Sequence, residues 1–335
     1  MTIDIKLPLQ ELISKSAVDS NSLPNSVMTR QQANMFIDLL VDESVLLKNI
    51  RVERVDHNKG EVNKLDLATI VTQGAHTTGK ASTHTPTESV MTYDCVKYRS
   101  AFDLKTDFTE DNLEGSAIRD KLLNMFSKRM AIDTEMASIE GDDDLPVGDN
   151  ETAENNLLGV NDGFSKILRA EVAAGRKIDA NGKAPTKQLY YDMRRAVPAR
   201  YRVARPEYRW IVPSGPADKW GLDWSDRETQ GGDRALTSEL TDMPGPWGNR
   251  MLEVPLMPED LTYGTAGTAG SEIWYTPLAN LVFFIQRDIT IEWERKPRQD
   301  MWEATIHYRC DFEVENPDLV VLAQNVDLTG ADYTG

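Results

Sequence analysis

Three consecutive carboxylates, Asp142, Asp143 and Asp144, form the chain's densest group of potential metal ligands. Such clusters suit hard cations like calcium. Counting Asp142 as position one of a calcium loop, however, puts Pro146 and Val147 where a ligand and the turn glycine belong. The spacing therefore predicts a solvated acidic loop. The four histidines, His57, His76, His84 and His307, include no pair at the i, i+3 or i, i+4 spacing of a helical zinc site. No G-x-S-x-G elbow is present, Cys310 falls on the apolar face of its strand and Cys95 lies in a projected ribbon without a nearby histidine, so both read as structural. Gly264 to Gly270 ("GTAGTAG") lacks the Lys-Ser/Thr of a phosphate loop and reads as a flexible loop. Trp220, Trp224 and Trp247 could stack on a sugar, but wedges that pack a loop-rich domain or an interface are the commoner use. No catalytic site, metal or cofactor is expected.

What remains is charge. With 37 Lys+Arg against 54 Asp+Glu the formal charge is -17, which argues against a surface that grips nucleic acid as a whole. Residues 141–164 hold seven acidic and no basic residues, whereas 187–209 hold seven basic and two acidic. Arg194, Arg195, Arg200, Arg202 and Arg205 could therefore touch phosphates, or meet Asp142, Asp143 and Asp144 of an identical neighbour. The neighbour is the preferred reading. Two cysteines are too few for a disulfide framework, and no apolar run exceeds the scale of "LVFFI" at 281–285, far below a membrane span. With no apolar N-terminal leader, a soluble cytoplasmic chain is expected.

The elements that must position these residues follow in order. Residues 1–28 are Ser- and Asn-rich and read as an arm that something outside it must order. Thr29 to Gln32 forms a T-x-x-Q capping box that opens a short helix over 29–44. Alternating patterns at 45–56 and 62–71, joined by "HNKG", predict a hairpin. After the polar stretch 72–89, the strand 91–105 completes a long two-stranded projection that needs a partner surface. His76, Lys80 and His84 in that stretch are candidate contacts. A stripe of Ile118, Leu122, Met125, Phe126, Met130, Asp133 and Met136 predicts a helix from Leu113 to Glu140, ended by Gly141. Residues 210–258 are rich in Pro, Gly and Trp and read as short strands and turns.

Residues 300–314, "DMWEATIHYRCDFEV", alternate without a slip from Trp302 to Val314 and pair as a hairpin with "NLVFFIQRDITIEWE". Phe283, Ile285, Ile289, Ile291, Trp293, Trp302, Ile306, Tyr308 and Phe312 are its expected core residues. Its apolar face can cover Leu122, Phe126 and Met130, leaving the other face to solvent, DNA or a neighbour.

This order of parts resembles the major capsid protein of tailed bacteriophages: polar arm, short helix, ribbon, long helix, a mixed domain containing "AVPARYR" and "NRMLEVPLMPED", and the final hairpin. The resemblance runs from about Leu23 to Val326. It implies an α+β fold with an N-terminal arm (1–28), a short helix (29–44) and an extended β-ribbon loop (45–105). A peripheral domain (106–185 and 281–326) built on a spine helix (113–140), an inserted mixed axial domain (186–280) and a tail (327–335) complete it. It further implies self-assembly into pentamers and hexamers of an icosahedral shell around double-stranded DNA, located in the virion and assembled in the host cytoplasm. Expected partners are the chain itself, scaffold, portal and decoration proteins, and packaged DNA, with no membrane. Many family members lose an N-terminal segment; a chain observed from Met1 is expected to keep its arm. An encapsulin-like compartment of the same fold, and a Trp-rich ligand-binding protein or enzyme, are the alternatives.

Overall fold

A computed structural model describes residues 26–27, 40–41, 44–66, 87–105, 117–226, 245–263, 268–286 and 290–335. Residues 1–25 of the arm, the Thr29 capping box, His76, Lys80, His84, Leu113 and Ile289 lie outside these residues, as do Gly264 and its three successors.

The long alternating strand is the axis of a six-stranded sheet. β13 (Met301–Val314) pairs along one edge with β12 (Thr290–Lys296) and β11 (Leu281–Gln286), and along the other with β5 (Val96–Lys105), all antiparallel. β2 (Arg51–Val55) adds in parallel to the far side of β11, and β1 (Ser26–Val27) adds antiparallel to β12. The expected hairpin is present, with Ile291 opposite Ile306 and Trp293 opposite Ala304. Ala304, Ile306, Tyr308, Cys310, Phe312 and Val314 are buried, Trp302 is half-buried, and Phe283 and Ile285 are fully buried.

α1 (Ala117–Glu140) lies over this face, about 36 Å long at ~1.5 Å per residue. Phe126 stacks on Phe102 at 4.0 Å. Met130 joins the same core, and the Thr134 hydroxyl lies 2.9 Å from the Tyr308 hydroxyl. Met125, expected in the stripe, is exposed. The last turns are covered on several sides instead. Buried Glu135 accepts from the N–H groups of Val45 and Leu46 at 3.0 and 2.8 Å, fixing the 44–50 turns against the helix. The helix stops where Gly141 meets Gly163: the Gly163 N–H donates to the Gly141 carbonyl at 2.8 Å. A Cβ on Gly141 would lie 2.4 Å from the Asn161 carbonyl, so only glycine fits. Two short helices follow, α2 (Ala153–Leu158) and α3 (Phe164–Glu171).

Two expectations about the ribbon are corrected. β2 does not pair with β3 (Lys59–Asp66); β3 pairs with β4 (Thr87–Asp94), from Lys59 opposite Asp94 to Asp66 opposite Thr87. The "HNKG" turn is thus a corner between a strand of the main sheet and the ribbon. β5, expected within the projection, belongs to the main sheet along its whole length. The base of the ribbon folds over the back of β11, where Met91 and Cys95 pack on Val282 and Phe284 and Tyr93 stacks on Phe284 at 4.7 Å. Cys95 is therefore buried, and "LVFFI" is an unbroken apolar run because both faces of β11 are covered.

The second sheet runs β6 (Lys177–Lys183), β14 (Val321–Val326), β10 (Thr268–Pro277), β7 (Tyr208–Val212) and β8 (Met251–Glu253), with β9 (Leu261–Tyr263) paired to β10. β6 and β14, grouped by their sequence position with the peripheral domain, pair here. A strand's own pattern does not name its partner, and β6–β14 is a parallel, non-local pairing. α4 (Lys187–Ala196) and α5 (Ser214–Ser225) cover one face, where Trp210 stacks on Tyr275 at 3.9 Å and Tyr190 meets Trp210 and Trp220 edge-on. The other face joins the first core: Phe164 sits edge-on to Trp274 at 6.5 Å and to Phe312 at 5.8 Å.

Candidate subunit-contact sites

The structure separates the residues that sequence singles out into three places. Asp142, Asp143 and Asp144 converge with Asp162 on one ammonium, Lys166 on the first turn of α3. Its Nζ lies 2.7 Å from Asp142, 2.9 Å from Asp144, 2.9 Å from Asp162 and in contact with Asp143. Burial alone would lower the Lys166 pKa, but hydrogen bonds to the four carboxylates hold it well above the ordinary lysine value. Lys166 thus occupies the position that a bound cation would take. The signal was available in sequence, since Asp162 and Lys166 stand four apart astride Gly163.

The arginines gather elsewhere, at the C-terminal end of α4 and the turns of 199–207. Tyr191, Arg194, Arg195, Arg202, Arg205 and Trp247 line a cleft of about 580 Å³. Arg202 donates from Nε to the Val197 carbonyl (3.1 Å) and from Nη2 to that of Arg195 (3.2 Å). Arg205 donates to the Arg194 carbonyl at 3.1 Å. Both therefore satisfy carbonyls at a helix end that has no later turn to receive them. Arg200 lies apart, stacked on Tyr201 and 3.9 Å from Asp318. The three tryptophans do not share a platform. Trp220 is buried, Trp224 packs beside it at 6.1 Å, and Trp247 is exposed at the cleft.

The third place was not foreseen. Where the ribbon leaves the sheet, a groove of about 1040 Å³ runs between β3, β4, α3 and β13. Asp311, assigned by alternation to the outward face of β13, is buried there. It accepts from the Asp94 N–H (2.7 Å), the Asn161 side-chain amide (2.7 Å) and the Phe312 N–H (2.9 Å). The outward face of β13 is thus only partly free, because the ribbon base covers it. Burial pushes Cys95 up to about 12, with Asp311 and Asp94 adding to it, and burial holds Cys310 well above the usual thiol value. Neither is poised as a thiolate at neutral pH.

Burial raises Glu313 to about 8, with Asp311 and Glu171 adding to the shift. Asp311 and Glu171 are also raised, mainly by burial. A raised carboxyl pKa means the folded state favours the protonated form. Glu313 therefore costs nothing below its unfolded value, roughly 4.3, and destabilises increasingly as pH rises through about 8. Glu313→Gln is expected to be neutral near pH 4 and stabilising above pH 8. The gain is on the order of 1–2 kcal/mol, discounted because the carboxyl is partly exposed. Denaturant unfolding at the two pH values checks this.

No protein-family model matches the chain. Its sequence is 24% identical over 315 residues to the "Putative prophage capsid protein YqbE" of Bacillus subtilis (strain 168), spanning 93% of this chain and 96% of that one. Among solved structures it superposes on a chain of the satellite phage P4 procapsid, which includes the size determination protein. The TM-score is 0.65 at 15% identity, with 98% and 100% of the two chains covered. The holo-SrpI encapsulin complex of Synechococcus elongatus PCC 7942 matches with TM-score 0.54 at 12% identity over 97% and 98%. The fold is that of the phage capsid proteins, shared with encapsulins. The end-to-end sequence similarity is to a prophage capsid protein, whereas the encapsulin is matched in fold at 12% identity.

Proposed function

We propose that this chain is the major capsid protein of a tailed phage or prophage. It assembles into the pentamers and hexamers of an icosahedral shell around double-stranded DNA, and it works by repeated interfaces rather than by catalysis. The observation that carries this reading is the relationship to a prophage capsid protein over 93% of this chain and 96% of that one. The architecture supports it physically. A two-stranded ribbon is marginal in water alone, and among the described residues its base packs on the subunit at Val62, Met91, Tyr93 and Cys95. Arms and ribbons let one subunit add several contacts, each on the scale of ~800 Å² per partner in a stable interface.

Scaffold, portal and decoration proteins are the further partners this reading entails, with assembly in the host bacterial cytoplasm. No helix of the described residues is long and apolar enough to cross a membrane. Arg194, Arg195, Arg200, Arg202, Arg205, Asp142, Asp143, Asp144, His76, Lys80 and His84 are proposed to lie in or near contacts with neighbouring subunits.

The test is to express the chain with and without residues 72–89, then compare size-exclusion profiles and negative-stain images. The full chain is expected to give shells, or rings of five or six, and the deletion to leave a folded subunit that assembles poorly. A persistent monomer, even with scaffold present, sinks the proposal. The match to an encapsulin supports a second reading, a compartment loaded with protein cargo; shells that enclose a cargo enzyme and exclude DNA would establish it.

A further inference from the structure

Resting on the reading that the chain assembles with itself, we infer that the arginine cleft beside Trp247 receives the Val147–Glu154 loop of a second copy of this chain.

The cleft is built as a receptor. None of Arg194, Arg195, Arg202 and Arg205 has an ion-pair partner among the described residues, so among those residues their positive charge is uncompensated. Trp247 is 45% exposed yet held at φ 53°, a left-handed backbone that a bulky residue adopts at a cost. It is gripped from two sides, with the Tyr191 ring 5.8 Å away and the Arg194 guanidinium 6.0 Å from its centre. Tyr191 is also exposed. Exposed Trp, Tyr and Arg fixed together are the residue types that dominate interface energies.

The partner follows from charge. A second copy carries a net charge of -17, so attraction to this patch is expected from its acidic surfaces. Not all of those are equally open. Asp142, Asp143, Asp144 and Asp162 already surround Lys166. Asp149, Glu151 and Glu154, a few residues on, are exposed and have no ion pair among the described residues. They stand on a loop held in one shape: the Gly148 N–H donates to Asn156 Oδ1 at 2.9 Å, and Asn156 Nδ2 donates back to the Gly148 carbonyl at 3.0 Å. Val147, 54% exposed on the same loop, supplies an apolar contact for Trp247. A preformed loop loses little conformational entropy on docking. The tripled aspartate is therefore an internal staple, and the carboxylates that follow it make the contact.

The test uses the full chain under assembly conditions. Arg194→Glu with Arg195→Glu, and separately Glu151→Arg with Glu154→Arg, are each expected to lower shell yield at least tenfold, with circular dichroism unchanged. The four substitutions together should restore much of it. Independently, Tyr191→Cys combined with Glu151→Cys should give disulfide-linked oligomers on mild oxidation with diamide, since native Cys95 and Cys310 are buried. Unchanged shell yield in both reversals overturns the inference, as does loss without rescue and without cross-linking. So does normal assembly with weakened binding of double-stranded DNA by the arginine variant, which would assign the cleft to nucleic acid. If the unsubstituted chain forms no rings or shells, the assembly reading itself fails and this contact with it.

Discussion

Phe312→Ala is expected to cost about 3–5 kcal/mol of unfolding free energy, the range for emptying an aromatic site in a packed core. Phe312 is 1% exposed and is linked to the second sheet through Phe164. It stacks on Phe283 of the first sheet at 5.5 Å and meets Phe164 edge-on at 5.8 Å, and Phe164 in turn meets Trp274 of the second sheet. Neighbours held by two sheets and a helix cannot collapse into the space, so the cavity term stays large. Val203→Ala, at a residue 88% exposed, should stay within roughly 0.5 kcal/mol. Denaturant unfolding followed by tryptophan fluorescence measures both. A loss under about 1 kcal/mol at Phe312 would mean that the two sheets do not share this core.

The alternation from Trp302 to Val314 was legible because a sheet with one covered face requires it, and the helix over it was legible from Phe126 and Met130. Pairing was less so. The "HNKG" corner has the composition of a hairpin turn, but β2 pairs with a strand more than 200 residues away, and nothing local marks such a partner. Met125 was misplaced for a related reason. A stripe predicts one covered side, whereas the end of α1 is enclosed by the 44–50 turns and α3, so that Glu135 and Ser138 are buried there.

At the candidate sites, residue type was legible and compensation was not. Asp142, Asp143 and Asp144 read as free acid, yet all three are drawn with Asp162 onto the single positive charge of Lys166. Arg202 and Arg205 read as free base, yet each spends donors on the carbonyls that end α4. Such pairings depend on where two loops meet. The subsets left over, Arg194 and Arg195 on one side and Asp149, Glu151 and Glu154 on the other, emerge only after the internal pairs are subtracted.

Asp311→Ala is the corresponding test of the ribbon. The carboxylate holds three donors from three segments: Asp94 at the ribbon's exit, Asn161 before α3, and Phe312 on its own strand. Each donor left unpaired in a buried setting costs about 1–3 kcal/mol. The removed carboxyl was itself disfavoured, since burial raises its pKa, and this offsets part of the loss. A net cost of about 2–3 kcal/mol is expected. The damage should be local, because the Tyr93–Phe284 stack and the main sheet do not depend on Asp311. Amide exchange should accelerate in 59–66 and 87–94 while 301–310 stays protected. Asp311→Asn keeps one acceptor oxygen and should retain part of the protection. If the ribbon's function is to lie on a neighbour, the alanine variant must hold its direction less well and assemble more slowly, even though its subunit core is intact. Uniform acceleration across both sheets would show instead that Asp311 supports the whole domain, and unchanged exchange in the ribbon would show that Met91, Tyr93 and Cys95 hold its base without it.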